Sequence, residues 1–303
     1  MRVVVAATAD VAIPTLQWLM SSDHDLLRTV TTPDSRVGRG KILTPSVVSV
    51  WSEVNGVNCL KPDSEPEMID AFSDTDVVIA IAYGKILPEP ILNLPRFGFL
   101  NLHFSLLPAY RGAAPVQRAI LNGEKKTGIS IFKIDKNLDT GPIYTQVEFE
   151  IPDDFNSKDV LNSLSGIGAT AFARVLTQLE DGVVPIVQSM EGVSLAAKIS
   201  KDEAKISWKK KGFEVVNSVR AFTPAPGAWT TYKGEVLKIV SVQPASILAT
   251  LRPGQIHIEN KKLFAGCDDS AIEVLKVVPS GKKEMNASDW LNGARLASGE
   301  FFE

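Results

Sequence analysis

The sequence predicts an α/β chain in which a Rossmann-like, mostly parallel sheet is followed by a smaller OB-like β-barrel, and three observations predict it. Apolar strands alternate with helical segments as far as about residue 180, the pattern of a sheet built from right-handed crossovers. The run Val77 to Ala82, VVIAIA, is apolar at every position, as a strand covered on both faces must be. Beyond Trp208 the pattern changes to short strands separated by turn signals, the mark of a small antiparallel barrel.

At 303 residues the chain exceeds the common single-domain size, so two domains are expected. We place the first over residues 1–181, a linker over 182–206 and the second over 207–303. Hydrophobic residues make up 45% of the chain, ample for both cores. No apolar run approaches the roughly 20 residues that span a bilayer, so no membrane partner is expected. The start, MRVVVAATADVA, has the outline of a short signal peptide, but Asp10 interrupts the apolar run and a first strand is the better reading. Cys59 and Cys267 stand far apart with no Cys or His at ligand spacing, which indicates neither a zinc site nor a disulfide framework and fits a reducing cytoplasm. The net charge of −3 is uneven: residues 1–200 hold 17 basic and 23 acidic side chains, and residues 201–303 hold 15 and 12. An asymmetry of −6 against +3 points to a polyanionic partner for the second part, although chance scatter of surface charge gives the same count.

In order, Arg2 to Ala7 is a β-branched strand, and Asp10 stands where it would cap a helix through Ile13, Leu16, Leu19 and Met20. Leu27 to Thr31 is the second strand. Thr32 to Lys41, TPDSRVGRGK, has no periodicity and reads as a mobile basic loop; it has neither the spacing nor the strand-to-helix setting of a P-loop or dinucleotide fingerprint. Helices at Val47 to Asn55 and Glu65 to Phe72 alternate with strands at Val57 to Leu60 and Val77 to Ala82. Strand Gly98 to His103, helix Val116 to Leu121, strands Thr127 to Ile134 and Ile143 to Phe149, and the long helix Lys158 to Leu179 complete the first domain. Asp181 to Ser207 lacks periodicity. The second domain has one helix, Phe213 to Phe222, and strands at Thr230 to Tyr232, Leu237 to Gln243, Gln255 to Ile258, Lys262 to Ala265 and Ala271 to Val278.

The stretch GFLNLHFSLLPAYRGAAP, Gly98 to Pro115, has the form of a site. Asn101 and His103 are two apart, so in an extended strand their side chains leave on one face, and an apolar core face would not choose an amide and an imidazole. Ligands of open α/β sheets bind at the carboxyl ends of strands and the loops beyond them, which is where Asn101, His103 and the distant Asp139 fall. An amide donor, an imidazole and an orienting carboxylate suit acyl-type transfer, in which negative charge develops on a carbonyl oxygen. A lone histidine reads more readily as a satisfied core residue, a reading that Asn101 on the same face shifts for His103, and Asp139, in DTGP, reads alone as an ordinary turn aspartate.

NLHFSLLPAYRG with the later LDTG, after a strand ending AYGKILP, resembles the folate-dependent formyltransferases, whose signature is an Asn-x-His, an SLLP loop and a distant Asp. TPDSRVGRGK resembles the loop insertion of the branch that acts on tRNA, VRAFTPAPGAW its second-domain entry and GKKEMNASDWL its C-terminal motif, so nearly the whole chain is covered. Phe104, Ala9 and Ala225 depart from the residues usual in the family. The resemblance implies transfer of the formyl group of 10-formyltetrahydrofolate to the α-amino group of methionine on initiator tRNA, for translation initiation, by a cytoplasmic monomer without a metal. By it, Asn101, His103 and Asp139 are the catalytic set, Ser105, Leu106, Leu107 and Pro108 line the formyl-donor pocket with backbone contacts from Leu87, and Arg36, Arg39 and Lys41 form an arm for tRNA. The alternatives are another amine acceptor, such as a sugar nucleotide or glycinamide ribonucleotide, hydrolysis of the donor, or a non-catalytic RNA-binding module.

Overall fold

Alternating β-branched strands and amphipathic helices build the first part of the chain in the computed structural model, which describes residues 1–303 except 38, 39, 41, 247–249 and 295 and the side chain of residue 37. In chain order the elements are β1 (Arg2–Ala7), a 3₁₀ turn (Asp10–Ala12), α1 (Ile13–Met20), β2 (Asp25–Val30), β3 (Ser35–Val37), β4 (Ile42–Thr44), α2 (Val47–Val54), β5 (Cys59–Leu60) and α3 (Glu65–Phe72). They continue with β6 (Val77–Ile81), α4 (Glu89–Leu92), β7 (Phe99–His103), β8 (Arg111–Gly112), α5 (Pro115–Leu121), β9 (Lys126–Lys133), β10 (Ile143–Glu150), α6 (Ser157–Glu180) and β11 (Leu195–Ala196). Then come α7 (Gly212–Phe222), β12 (Trp229–Tyr232), β13 (Glu235–Ala245), β14 (Ile256–Glu259), β15 (Lys262–Gly266), β16 (Ala271–Pro279), β17 (Met285–Asn286) and α8 (Ala287–Ala294). Two compact units interleave along this order: Met1–Gly112, Lys126–Glu150 and Leu161–Leu195 form one, Ala113–Lys125, Ile151–Val160 and Ala196–Glu303 the other.

The first unit holds a seven-stranded sheet in the order β10-β9-β7-β6-β1-β2-β5. The pairs from β7 through β6, β1 and β2 to β5 are parallel, and β9 and β10 add an antiparallel flank. β1 and β6 sit at the centre, and every residue of VVIAI in β6 is buried, the two-faced burial its composition predicts. Chain order reverses between β1 and β6, so the loops leaving β6 and β7 lie beside the switch point where such sheets bind ligands. Gly168 lets the long helix approach β7 closely, since a Cβ there would stand 2.4 Å from Leu102 Cδ2.

Two local expectations are corrected. Asp10 caps nothing: it is the first residue of a 3₁₀ turn, and α1 starts behind Ala12 with a proline in its first turn and no side-chain cap. The stretch 32–41 is not all loop, because Ser35–Val37 pairs antiparallel with Ile42–Thr44, placing Arg36 opposite Leu43. At three residues per strand this ribbon is too short to show as periodicity.

The second unit holds an antiparallel sheet ordered β12-β13-β16-β15-β14, with β17 also on β16. Residues 299–303 join its two edges. On the β14 side Gly299 N–H donates to Ile256 O, Ile256 N–H to Glu300 O and Phe302 N–H to Gly254 O; on the β12 side Glu303 and Thr231 exchange both backbone bonds. Pairing both edges closes the sheet into a barrel and removes its free edges. Trp208 stacks on Phe302 at 5.3 Å and donates its indole N–H to Thr230 Oγ1 at 3.0 Å, which fastens this segment from within.

Candidate active site

β7 delivers Asn101 and His103 to the carboxyl end of the first sheet, where Asn101 pairs with Ala80 and Phe132 and His103 with Ser130. Asn101 is half-buried, and among the described residues its amide makes no hydrogen bond. His103 is 5% exposed. Its Nε2 lies 2.9 Å from the carbonyl oxygen of Tyr110; a carbonyl only accepts, so Nε2 carries the proton. Nδ1 faces Asp139 Oδ2 at 3.6 Å, and that same oxygen accepts the Gly112 N–H at 2.8 Å.

Burial holds the His103 pKa below its ordinary value of 6.5, while the negative charge of Asp139 and the Tyr110 carbonyl act in the opposite direction. The imidazole is therefore neutral at pH 7, with the lone pair of Nδ1 turned toward a carboxylate. Two acceptors face each other across 3.6 Å, and a proton entering that gap gains both as partners. Both groups that flank the ring are carried on left-handed backbone, Tyr110 at φ 60° and Asp139 at φ 51°, a conformation that costs a non-glycine residue about 1–3 kcal/mol.

The turn 135–142 shows why Asp139 is available to His103. Asp135 does the work of the turn aspartate, accepting the Asn137 N–H at 3.0 Å and the Thr140 hydroxyl at 2.7 Å. Gly141 is required by space, since a Cβ would stand 1.7 Å from the Lys133 carbonyl oxygen. The carboxylate of Asp139 is thus left to Gly112 and His103.

Beyond β7 the SLLP loop is held from beneath. Ser105 and Leu107 are buried, whereas Leu106, Pro108 and, on the loop after β6, Leu87 are half-buried. Ser105 Oγ donates to Ala109 O at 2.6 Å. Ser130 Oγ donates to Ser105 O at 2.7 Å and accepts from the Leu107 N–H at 3.0 Å and from Gln146 Nε2 at 2.9 Å; Gln146 Nε2 also reaches Leu107 O at 2.8 Å. One donor and two acceptor positions exhaust a hydroxyl. Ser105 and Leu107 therefore shape the loop with their side chains turned inward, while Leu106 and Pro108 stay partly exposed, as does Leu87, which also packs against the core beneath it. Sequence reasoning missed Tyr110, Ser130, Gln146 and Gln188. A serine within the buried run GISIF was a readable signal for Ser130; nothing in the pattern marked Gln188.

Of the basic arm, Arg36 is exposed on β3, while Arg39 and Lys41 lie outside the described residues. Among the described residues no group of three or more His, Cys, Asp or Glu side chains gathers to hold a metal, and no helix is long and apolar enough to cross a membrane.

Residues 1–176 match the formyl transferase family and residues 198–295 match the formyl transferase C-terminal domain. The methionyl-tRNA formyltransferase of Salinispora arenicola is 42% identical over 305 residues, covering 99% of each chain. That of Thermobifida fusca is 40% identical and covers 100% of this chain and 99% of its own. Among solved structures, methionyl-tRNA formyltransferase from Clostridium thermocellum superposes with a TM-score of 0.59 at 17% identity, over 91% of this chain and 99% of that one. HypX from Aquifex aeolicus in complex with tetrahydrofolic acid superposes with a TM-score of 0.71 at 15% identity, over 99% of this chain and 48% of its own. At those identities the two structures attest the fold.

Proposed function

The chain belongs to the formyl transferase family, and from that premise we propose that it moves a formyl group from 10-formyltetrahydrofolate to the α-amino group of methionyl-tRNA at the Asn101, His103 and Asp139 site. Whole-length identity of about 40% to methionyl-tRNA formyltransferases supports the acceptor and the place in translation initiation. The observation that carries the chemistry is buried His103 paired with half-buried Asp139, beside the Asn101 amide on the same strand, which has no hydrogen-bond partner among the described residues.

The reaction forms one C–N bond from the amine to the formyl carbon, breaks the C–N bond to the folate nitrogen, and moves one proton from the amine to that nitrogen. The Nε2 proton of His103 is committed to Tyr110, so the open position on the ring is Nδ1, a proton acceptor backed by Asp139. We assign to that pair the removal of the amine proton, and to the Asn101 amide donation to the oxygen that becomes negative in the tetrahedral intermediate. For the donor, the half-buried apolar side chains of Leu87, Leu106 and Pro108 fit the pterin, and Gly84, at φ 79° with open space before it, lets a flat ring approach backbone. The acceptor is a polyanion, for which the +3 of residues 201–303 and the basic stretch with Arg36, Arg39 and Lys41 supply attraction. Oligomeric state does not enter this reading; a monomer suffices for it.

The test is direct: incubate the protein with 10-formyltetrahydrofolate and methionyl-tRNA, a sugar-nucleotide amine or glycinamide ribonucleotide, and determine which acceptor gains the formyl group. Formylation of methionyl-tRNA alone is expected. Transfer to a small amine in its place would overturn the acceptor.

A further inference from the structure

Gln188 lies in the stretch 182–206 that the sequence reads as a linker, yet it is 8% exposed and every position of its amide is used. Oε1 accepts from Arg111 Nε at 3.2 Å and from Arg111 Nη2 at 2.7 Å, and Nε2 donates to the carbonyls of Asp139 at 2.9 Å and Gly141 at 2.8 Å. Two lone pairs and two N–H groups are all that an amide has, and these partners also decide which end is oxygen. Arg111 is itself 9% exposed, so its guanidinium pulls on the amide oxygen in a setting of low dielectric and strengthens the donation at the other end.

We propose that Gln188, backed by Arg111, is a positioning residue for formyl transfer: it holds the turn at residues 139–141 so that the Asp139 carboxylate stays opposite His103 Nδ1. Asp139 is on left-handed backbone, which a turn keeps only when its surroundings over-determine it. Gln188 grips the carbonyls of residues 139 and 141 together, and the Gly112 N–H holds the carboxylate from the other side. Arg111 and Gly112 are consecutive, so one dipeptide closes the ring, through its side chain to Gln188 and through its backbone to Asp139. The same stretch also serves the other flank of the imidazole, where Ser194 Oγ accepts the N–H of Tyr110 and Ser194 O accepts that of Arg111.

This inference rests on the reading of Asp139 as part of the catalytic set, and a double-mutant cycle in the full-length protein tests the two separately. Gln188→Ala, Gln188→Glu, Asp139→Ala and the Gln188→Ala/Asp139→Ala pair are compared for kcat, for KM of donor and acceptor, and for thermal unfolding, well below the melting temperature. Gln188→Ala is expected to lower kcat by about 10–100-fold with KM values within about 3-fold, the cost of letting a reacting group drift by an ångström or so. Gln188→Glu, which keeps the oxygen for Arg111 but loses both donors when ionised, is expected to lose kcat similarly and covers the case in which the alanine variant fails to fold. In the Asp139→Ala background the Gln188 change is expected to cost less than about 2-fold, since no carboxylate is left to position. An equal loss in both backgrounds, or wild-type kcat in Gln188→Glu, overturns the positioning role. Wild-type kcat in Asp139→Ala overturns the reading of Asp139 and the proposal with it.

Discussion

The two sheets place their buried polar groups to different ends. In the barrel of the second unit, Thr230 is buried between the Trp208 indole N–H and the Glu303 carbonyl, and Glu273 between Gln243 and Lys262; such groups fasten one strand or segment to the next. In the first unit, Ser105, Ser130, Arg111 and Gln188 gather at one end of the sheet and fasten loops whose ends meet the ring of His103. Buried polar side chains with hydrogen-bond partners are common to both. The difference is what stands at the end of the network: a closed barrel in one case, and in the other a neutral imidazole with an open acceptor position and an amide that makes no hydrogen bond among the described residues. Stability alone would not place two left-handed residues, Tyr110 and Asp139, beside one histidine.

The network of the first unit ends on a reacting group only if His103 takes part in the chemistry. His103→Ala is expected to lower kcat by about 10²–10⁴ while donor affinity is retained, because a proton acceptor is lost and the loop contacts remain. Wild-type turnover, or lost donor binding with normal turnover, removes His103 from the chemistry. The next effect in size comes from pH. With neutral His103 as the proposed active form and its pKa held below 6.5, kcat should fall about tenfold per unit on the acid side of a midpoint under pH 6.5. Since the Asp139 charge raises that pKa, Asp139→Asn should move the midpoint to still lower pH while lowering kcat; a shift to higher pH would reverse the assignment. Linkage has the same sign: the folded protein binds this proton less well than the unfolded chain, so stability is complete above 6.5 and declines as the pH drops below it.

Paired substitutions in the two sheets sharpen the contrast. Thr230→Val leaves the Trp208 indole N–H unmatched, while the Glu303 carbonyl keeps Thr231 as a donor, and Ser130→Ala leaves both the Leu107 N–H and the Ser105 carbonyl unmatched, so each should cost about 1–3 kcal/mol of stability. Only Ser130→Ala should also raise the KM for the folate donor, by several-fold. A change in donor KM in Thr230→Val, measured well below its melting temperature, would erase the distinction between the sheets.

How much of this was legible follows from how local each signal is. The continuous apolar run in β6 and the Asn-x-His alternation in β7 read correctly because burial and side-chain direction repeat within a few residues. The barrel strands read for the same reason. The closing of that barrel did not, since residues 299–303 pair with β12 and β14 through backbone groups that leave no side-chain pattern. Gln188 was invisible on the same ground: its four bonds reach residues 47 to 77 positions away, and one glutamine in an aperiodic stretch looks like solvent-facing chain. Asp10 misled in the other direction, because a cap residue in a cap position was overruled by a 3₁₀ turn.

The smallest effect is expected outside both networks, at the basic ribbon. Arg36 is exposed on β3, and Arg39 and Lys41 are close to it in sequence, beside Gly38 and Gly40. If these three side chains meet phosphates of the acceptor tRNA, each contact releases condensed counterions, and the slope of log affinity against log salt changes by about 0.7–0.9 per contact. Replacing all three with Ala should therefore flatten that slope by at most about 2–3, raise the KM for methionyl-tRNA several-fold at moderate salt, and leave kcat and donor KM where they were. The separation matters to the comparison: a long-range, salt-sensitive term belongs to exposed charge, and a short-range, salt-insensitive one to the saturated groups around His103. An unchanged slope in the triple variant would make the ribbon ordinary solvated surface and leave the attraction of tRNA to the positive second part alone. A fall in kcat would mean that the ribbon reaches the chemistry, and the boundary drawn here between buried and exposed polar groups would have to be moved.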